Sequence, residues 1–163
     1  MKKVLLLLFA LLFLLCGCKG ATKQSSFKLE KTTANVAFAE GETMIKGELE
    51  FFSPEKITLK LAEPKDAEGF VLKLENGAMS LGFEGTECSL ESAERLFGSS
   101  KGFQTLFEVL SAAGESETKL SARKGKLSCA PGEAVLSLDE EEKLKSIRCA
   151  VYDYEFTFVQ DMA

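Results

Sequence analysis

Polar and apolar residues alternate two by two through much of this chain. Ile45, Gly47, Leu49 and Phe51 fall on one side, and Lys46, Glu48 and Glu50 on the other. That is the pattern of a strand with one buried face. Ser53-Pro54-Glu55 marks a turn, after which Ile57, Leu59 and Leu61 alternate with Thr58 and Lys60. Pro64, which has no amide hydrogen for a ladder bond, ends that strand. Phe70, Leu72 and Leu74 then lead through Asn76-Gly77 to Met79, Leu81 and Phe83. Asn-Gly between two alternating runs is a strong hairpin signal. An earlier strand starts near Phe27 and includes Val36 and Phe38, although Thr32 to Ala34 fits it less well. The expectation is five antiparallel strands in meander order.

Between Ser89 and Gly114 the period becomes helical. Leu90, Ala93, Leu96 and Phe97 form one stripe, and Phe103, Leu106, Phe107 and Leu110 another. Ser89 is placed to cap the first of two short helices, with Gly98 and Gly114 just beyond the two helix ends. Alternation returns at Leu120, at Leu127 and Cys129, and at Ala134, Leu136 and Leu138. It ends with Tyr152, Tyr154, Phe156 and Phe158 on one face of a last strand. The acidic run from Asp139 to Glu142 separates two strands as a solvated loop; calcium binding there is the sharper alternative, although the run lacks the glycine an EF-hand loop needs. The fold class is mainly β with two short helices, an α+β antiparallel sheet.

The first residues carry a different signal. Lys2 and Lys3 precede the apolar stretch from Val4 to Leu15, and Leu15-Cys16-Gly17-Cys18 follows the order of a bacterial lipobox. The apolar stretch is shorter than the ~20 residues needed to span a bilayer. The expected organisation is therefore a signal peptide at 1–17, a lipidated Cys18 with a polar tether to residue 26, and one domain at 27–163. Cys16 does not fit as the acylated residue, because Leu15 would then occupy the small-residue position. Acylation at Cys18 puts the domain outside the cytoplasm, anchored by fatty chains such as palmitate to a membrane leaflet the sequence does not name.

Composition narrows the chemistry. Loss of Lys2 and Lys3 with the signal takes the formal charge from −5 to −7. An acidic chain with no clustered Lys and Arg argues against nucleic acid or anionic lipid headgroups as the main partner. No histidine is present, which removes the usual general base and the commonest metal ligand. Ser53 to Lys56, Ser116 to Lys119 and Ser121 to Lys124 match the Ser-x-x-Lys spacing of penicillin-binding enzymes, but the strings SDN and KTG that accompany it are missing. No carboxylate is embedded in an apolar run that would shift its pKa. The expectation is no enzyme, no catalytic residue, no cofactor and no metal. Cys88, Cys129 and Cys149 read as buried apolar side chains or, alternatively, include a Cys129–Cys149 bridge between neighbouring strands. A three-cysteine zinc site is the remaining option and lacks any CxxC pair.

The segments FSPEKITLKLAEP and GFVLKLENGAMSLGF, with Pro64, Gly69 and the Asn76-Gly77 turn, resemble the lipoprotein-localisation-factor superfamily of LolA/LolB-like and LppX-like proteins. That resemblance implies an unclosed half-barrel with helices over its concave face, holding acyl chains of lipids or lipoproteins. It implies no catalytic residues. Leu59, Leu72, Leu81, Phe83, Phe103, Phe107, Leu110 and Phe156 are then candidate lining residues for a hydrophobic ligand. Two other readings stay open: the same residues as plain core, and a ligand-free envelope interaction module that meets a protein partner through its polar strand faces.

Overall fold

The computed structural model of the chain describes residues 25–89 and 99–159. The signal peptide and Cys18 lie outside these residues, as does the first expected helix with Gly98. The fold is one antiparallel, unclosed sheet of twelve strands with a single α-helix among the described residues. The strands are β1 (Ser25–Phe27), β2 (Thr32–Glu40), β3 (Thr43–Ser53), β4 (Lys56–Glu63), β5 (Val71–Glu75), β6 (Ala78–Phe83) and β7 (Thr86–Ser89). After the helix α1 (Lys101–Glu115) come β8 (Thr118–Ser121), β9 (Lys124–Cys129), β10 (Gly132–Leu138), β11 (Leu144–Cys149) and β12 (Tyr154–Val159). Their order across the sheet is β1-β8-β9-β10-β11-β12-β2-β3-β4-β5-β6-β7.

Alternation drives this arrangement. In β3, Ile45, Gly47, Leu49 and Phe51 are buried while Lys46 and Glu48 are exposed and Glu50 is partly so. Ile57, Leu59 and Leu61 do the same in β4, and the two strands pair with Leu49 opposite Leu59. A register slip would turn every one of these side chains to water, so the pairing is strongly specified. The outer face carries cross-strand ion pairs, Lys46–Glu63 at 2.9 Å and Lys126–Glu133 at 2.7 Å. These are exposed, and each contributes under about 1 kcal/mol.

Four sequence expectations are corrected. The meander from β2 runs to six strands rather than five, because Glu84 and Gly85 adopt positive φ and turn the chain into β7. The segment expected to start one strand near Phe27 is two: β1 crosses to pair with β8, and β2 begins at Thr32. Ser25 and Ser26, assigned to the tether, belong to β1. Tyr152 is not in the last strand. It sits in the turn at 150–153, where Asp153 takes a φ of 56°.

The second helix is also not short. It spans 15 residues and includes Gly114, expected beyond its end. A Cβ on Gly114 would meet the Phe51 ring and Pro54, so glycine here serves close helix–sheet packing rather than a left-handed cap. Phe103, Leu106, Phe107, Val109, Leu110 and Ala113 of α1 are all fully buried against the sheet.

Candidate functional site

The structure brings seven of the eight candidate lining residues together. Leu59, Leu72, Phe103, Phe107, Leu110 and Phe156 have zero exposure and Leu81 has 1 %. They belong to one continuous apolar cluster in which sheet and helix interlock. Phe38 belongs to it near the start of α1, edge-on to Phe103 at 5.4 Å and to Phe156 at 5.1 Å. A side chain with no accessible area borders no space that a water could enter, enclosed or open. These residues are therefore packed core in this conformation. Phe83 is separate: it is 38 % exposed, stacks on Phe70 at 4.5 Å and borders a shallow depression with Lys73 and Glu87.

The most site-like feature among the described residues lies where α1 begins. Glu40 ends β2 and is 6 % exposed. Its Oε2 accepts the Gly102 amide at 3.0 Å, and its Oε1 accepts the Tyr154 hydroxyl at 3.0 Å. Ser99 Oγ takes the Lys101 amide at 3.1 Å, so the first turn of α1 is capped from outside the helix. A carboxylate there also meets the positive end of the helix dipole. A Cβ on Gly102 would collide with Glu40 and approach Phe38 to 2.8 Å, so this junction needs glycine. Burial first, then the hydrogen bond and charge of Glu40, push the Tyr154 hydroxyl up to about 12. Glu40 is not among the residues singled out from the sequence. The signal was present: Ala34, Val36 and Phe38 set the buried register of β2, and Glu40 is its next member. A charge in that register asks for partners.

No family model matches the chain, and no curated protein matches it. Function has to be argued from the geometry.

The remaining candidate groups are placed as follows. Of the Ser-x-x-Lys strings, Ser53 and Lys56 face each other across the β3–β4 hairpin, and Ser121 and Lys124 across β8–β9. Ser116 follows α1 and Lys119 lies in β8. Neither hairpin pair has the helical geometry that sets a lysine beside a nucleophile. Asp139 Oδ1 accepts the amides of Glu141 and Lys143, both at 2.9 Å, and so shapes its own loop. Among the described residues no group of three or more acidic or cysteine side chains is placed to hold a metal, and no helix is long and apolar enough to cross a membrane.

Cys129 and Cys149 are free thiols, and they are not on neighbouring strands. Cys129 ends β9 opposite Gly132, Cys149 ends β11 opposite Ala134, and β10 lies between. Two strand spacings put their backbones about 9–10 Å apart, beyond the ~7 Å a disulfide can bridge. Burial, then the nearby Cys149 and Glu108, push the Cys129 thiol above its ordinary value. We therefore expect Cys129 to alkylate well below the rate of a free thiol at neutral pH, and Cys149, with zero exposure, more slowly still. Oxidation of the native protein should form no Cys129–Cys149 bridge. Intact-mass time courses check both, and a loss of two hydrogens traced to these cysteines would refute the placement.

Proposed function

We propose that this chain is a cell-envelope lipoprotein, anchored outside the cytoplasm through an acylated Cys18, whose domain acts as a ligand-free interaction module. The observation that carries the reading is the complete burial of Leu59, Leu72, Phe103, Phe107, Leu110 and Phe156. Those residues would have to line an acyl-chain cavity, and they border no space. We take the sheet to curve around α1 as a half-barrel with the helix over its concave face. In support, α1 touches both β9 and the β2–β3 pair. A flat sheet would hold β9 and β2 about 19 Å apart, nearly twice the diameter of a helix. The polar outer face is what remains for contact with another envelope protein.

The second reading is a carrier or binder of a hydrophobic ligand, a lipid or acyl chain, and one observation favours it. Polar ties hold α1 at its two ends, through Gly102 to Glu40, Leu29 to the Ala113 carbonyl at 2.9 Å, and Ser111 to the Pro54 carbonyl. Between them the buried side chains are apolar except for Thr105, so displacing α1 would uncover a largely apolar face. Native mass spectrometry of the mature acylated protein, with lipid extraction, separates the two. The module reading expects the mass of protein plus its own anchor and nothing more. An additional lipid bound at near one-to-one ratio would overturn it in favour of the carrier.

A further inference from the structure

We infer that the end of the sheet bearing Phe52 docks on the bilayer surface, with the Phe52 ring at headgroup depth and Lys31 and Lys56 towards anionic phosphates. This rests on the proposed acylation of Cys18.

Topology places the start of β1, which the tether precedes, and Phe52 at one end of the sheet. Ser25 pairs with Leu120, beside the β8–β9 turn at 122–123. Phe51 pairs with Thr32, and Phe52 directly precedes the β3–β4 turn. The β2–β3 turn, the 150–153 turn and the start of α1 lie at the opposite end, tied together by Glu40. From Cys18 to Ser25 the chain advances seven residues, a reach of about 25 Å at full stretch. The 11-residue β3 is roughly 36 Å long. An anchored domain therefore cannot turn its far end to the membrane, and the Phe52 end stays close.

The side chains at that end suit the surface. Phe52 is 39 % exposed, whereas Phe51 beside it is buried. The Nζ of Lys31 lies 5.1 Å from the Phe52 ring centre and that of Lys56 5.6 Å. Lys56 also approaches Glu75 at 3.8 Å, with both side chains more than half exposed, a weak pair that phosphate can replace. An apolar ring beside lysines whose stems can extend to the headgroups is a combination used by interfacial segments. The acidic run at 139–142 hangs from the β10–β11 hairpin, with β12 and β2 between it and the Phe52 hairpin. That hairpin is at the same end of the sheet, where Glu142 and Lys143 border one depression with Ser25 and Lys31.

The chain has no tryptophan, so Phe52→Trp creates a single reporter, and Met44→Trp does the same at the opposite end. Each full-length protein is expressed with its own signal, purified, weighed intact, and reconstituted into phosphatidylglycerol vesicles containing brominated phospholipid. The expected result is a diacylglyceryl adduct on Cys18 and severalfold stronger bromine quenching at position 52 than at 44, reduced by Lys31→Glu with Lys56→Glu. In the unaltered protein, hydrogen exchange over 52–56 should slow on vesicles and not in detergent. An acylated protein with equal quenching at both positions overturns the docking alone and leaves the lysines as shields of the ring. An unacylated Cys18 overturns the anchor reading, and the docking with it.

Discussion

Phe107→Ala will destabilise the domain by about 3–5 kcal/mol if the sheet–helix interior is solid. Phe107 has zero exposure and lies in the middle of the apolar stripe of α1. Truncation removes the ring's transfer free energy and leaves a cavity that the sheet, its strands locked in register, cannot close. For a domain of this size the loss lowers Tm by roughly 10–20 °C. The same substitution reads differently in a ligand-lined cleft. A ring that faces a void has few partners to lose, and its removal would cost well under half as much. Thermal unfolding of Phe107→Ala therefore measures packing directly, with Phe52→Ala, at an exposed site, expected within about 0.5 kcal/mol of the parent. An engineered apolar cavity also binds small apolar guests, so benzene should restore part of the lost Tm in Phe107→Ala and do nothing for the parent. A fall of only a few degrees would end the solid-core reading and favour the carrier.

That reading could be reached only in part from the amino acids. The strands from β3 to β6 were legible because each buries one face, and burial writes period two into the sequence. β7 was not: Thr86-Glu87-Cys88-Ser89 has no apolar alternation, as befits a short edge strand. β1 was hidden for the same reason, since Ser25 and Ser26 look like tether and become strand only by pairing with β8, over ninety residues away. The neighbour relation of β12 and β2 likewise depends on how the two ends of the sheet meet. The candidate lining residues were found as a cluster, but an apolar side chain reads the same whether it faces a cavity or another side chain. Tertiary geometry alone separates the two. Phe52 is not legible as a contact residue because it breaks alternation beside Phe51, and one exposed aromatic is ordinary until β1 is seen to start at the same end.

Glu40→Ala should be the most damaging change outside the apolar core, at about 2–4 kcal/mol, because it strips the acceptor from two donors at once. The Gly102 amide sits in a helix turn with no carbonyl to bond, and the Tyr154 hydroxyl is half-buried against Phe156. Glu40→Gln keeps an acceptor for Gly102 and loses the charge at the helix end, a cost nearer 1 kcal/mol. Tyr154→Phe also costs about 1 kcal/mol. The two sites share one carboxylate, so Glu40→Ala with Tyr154→Phe should fall short of the summed single losses, a coupling that chemical denaturation of the four proteins reads out. Additive losses would show that the carboxylate does not bridge strand and helix. Alkaline titration gives a second test. Tyr154 has its hydroxyl pushed up to about 12 from an ordinary 10, by burial first and then by Glu40. The native state thus favours the protonated phenol, and this stabilisation is complete below pH 10 and disappears as pH rises through 12. Since lysines titrate in the same range, the diagnostic quantity is the difference between the parent and Tyr154→Phe. That difference should stay constant up to pH 10 and shrink above it, and a difference flat to pH 12 would place the hydroxyl in water rather than on Glu40.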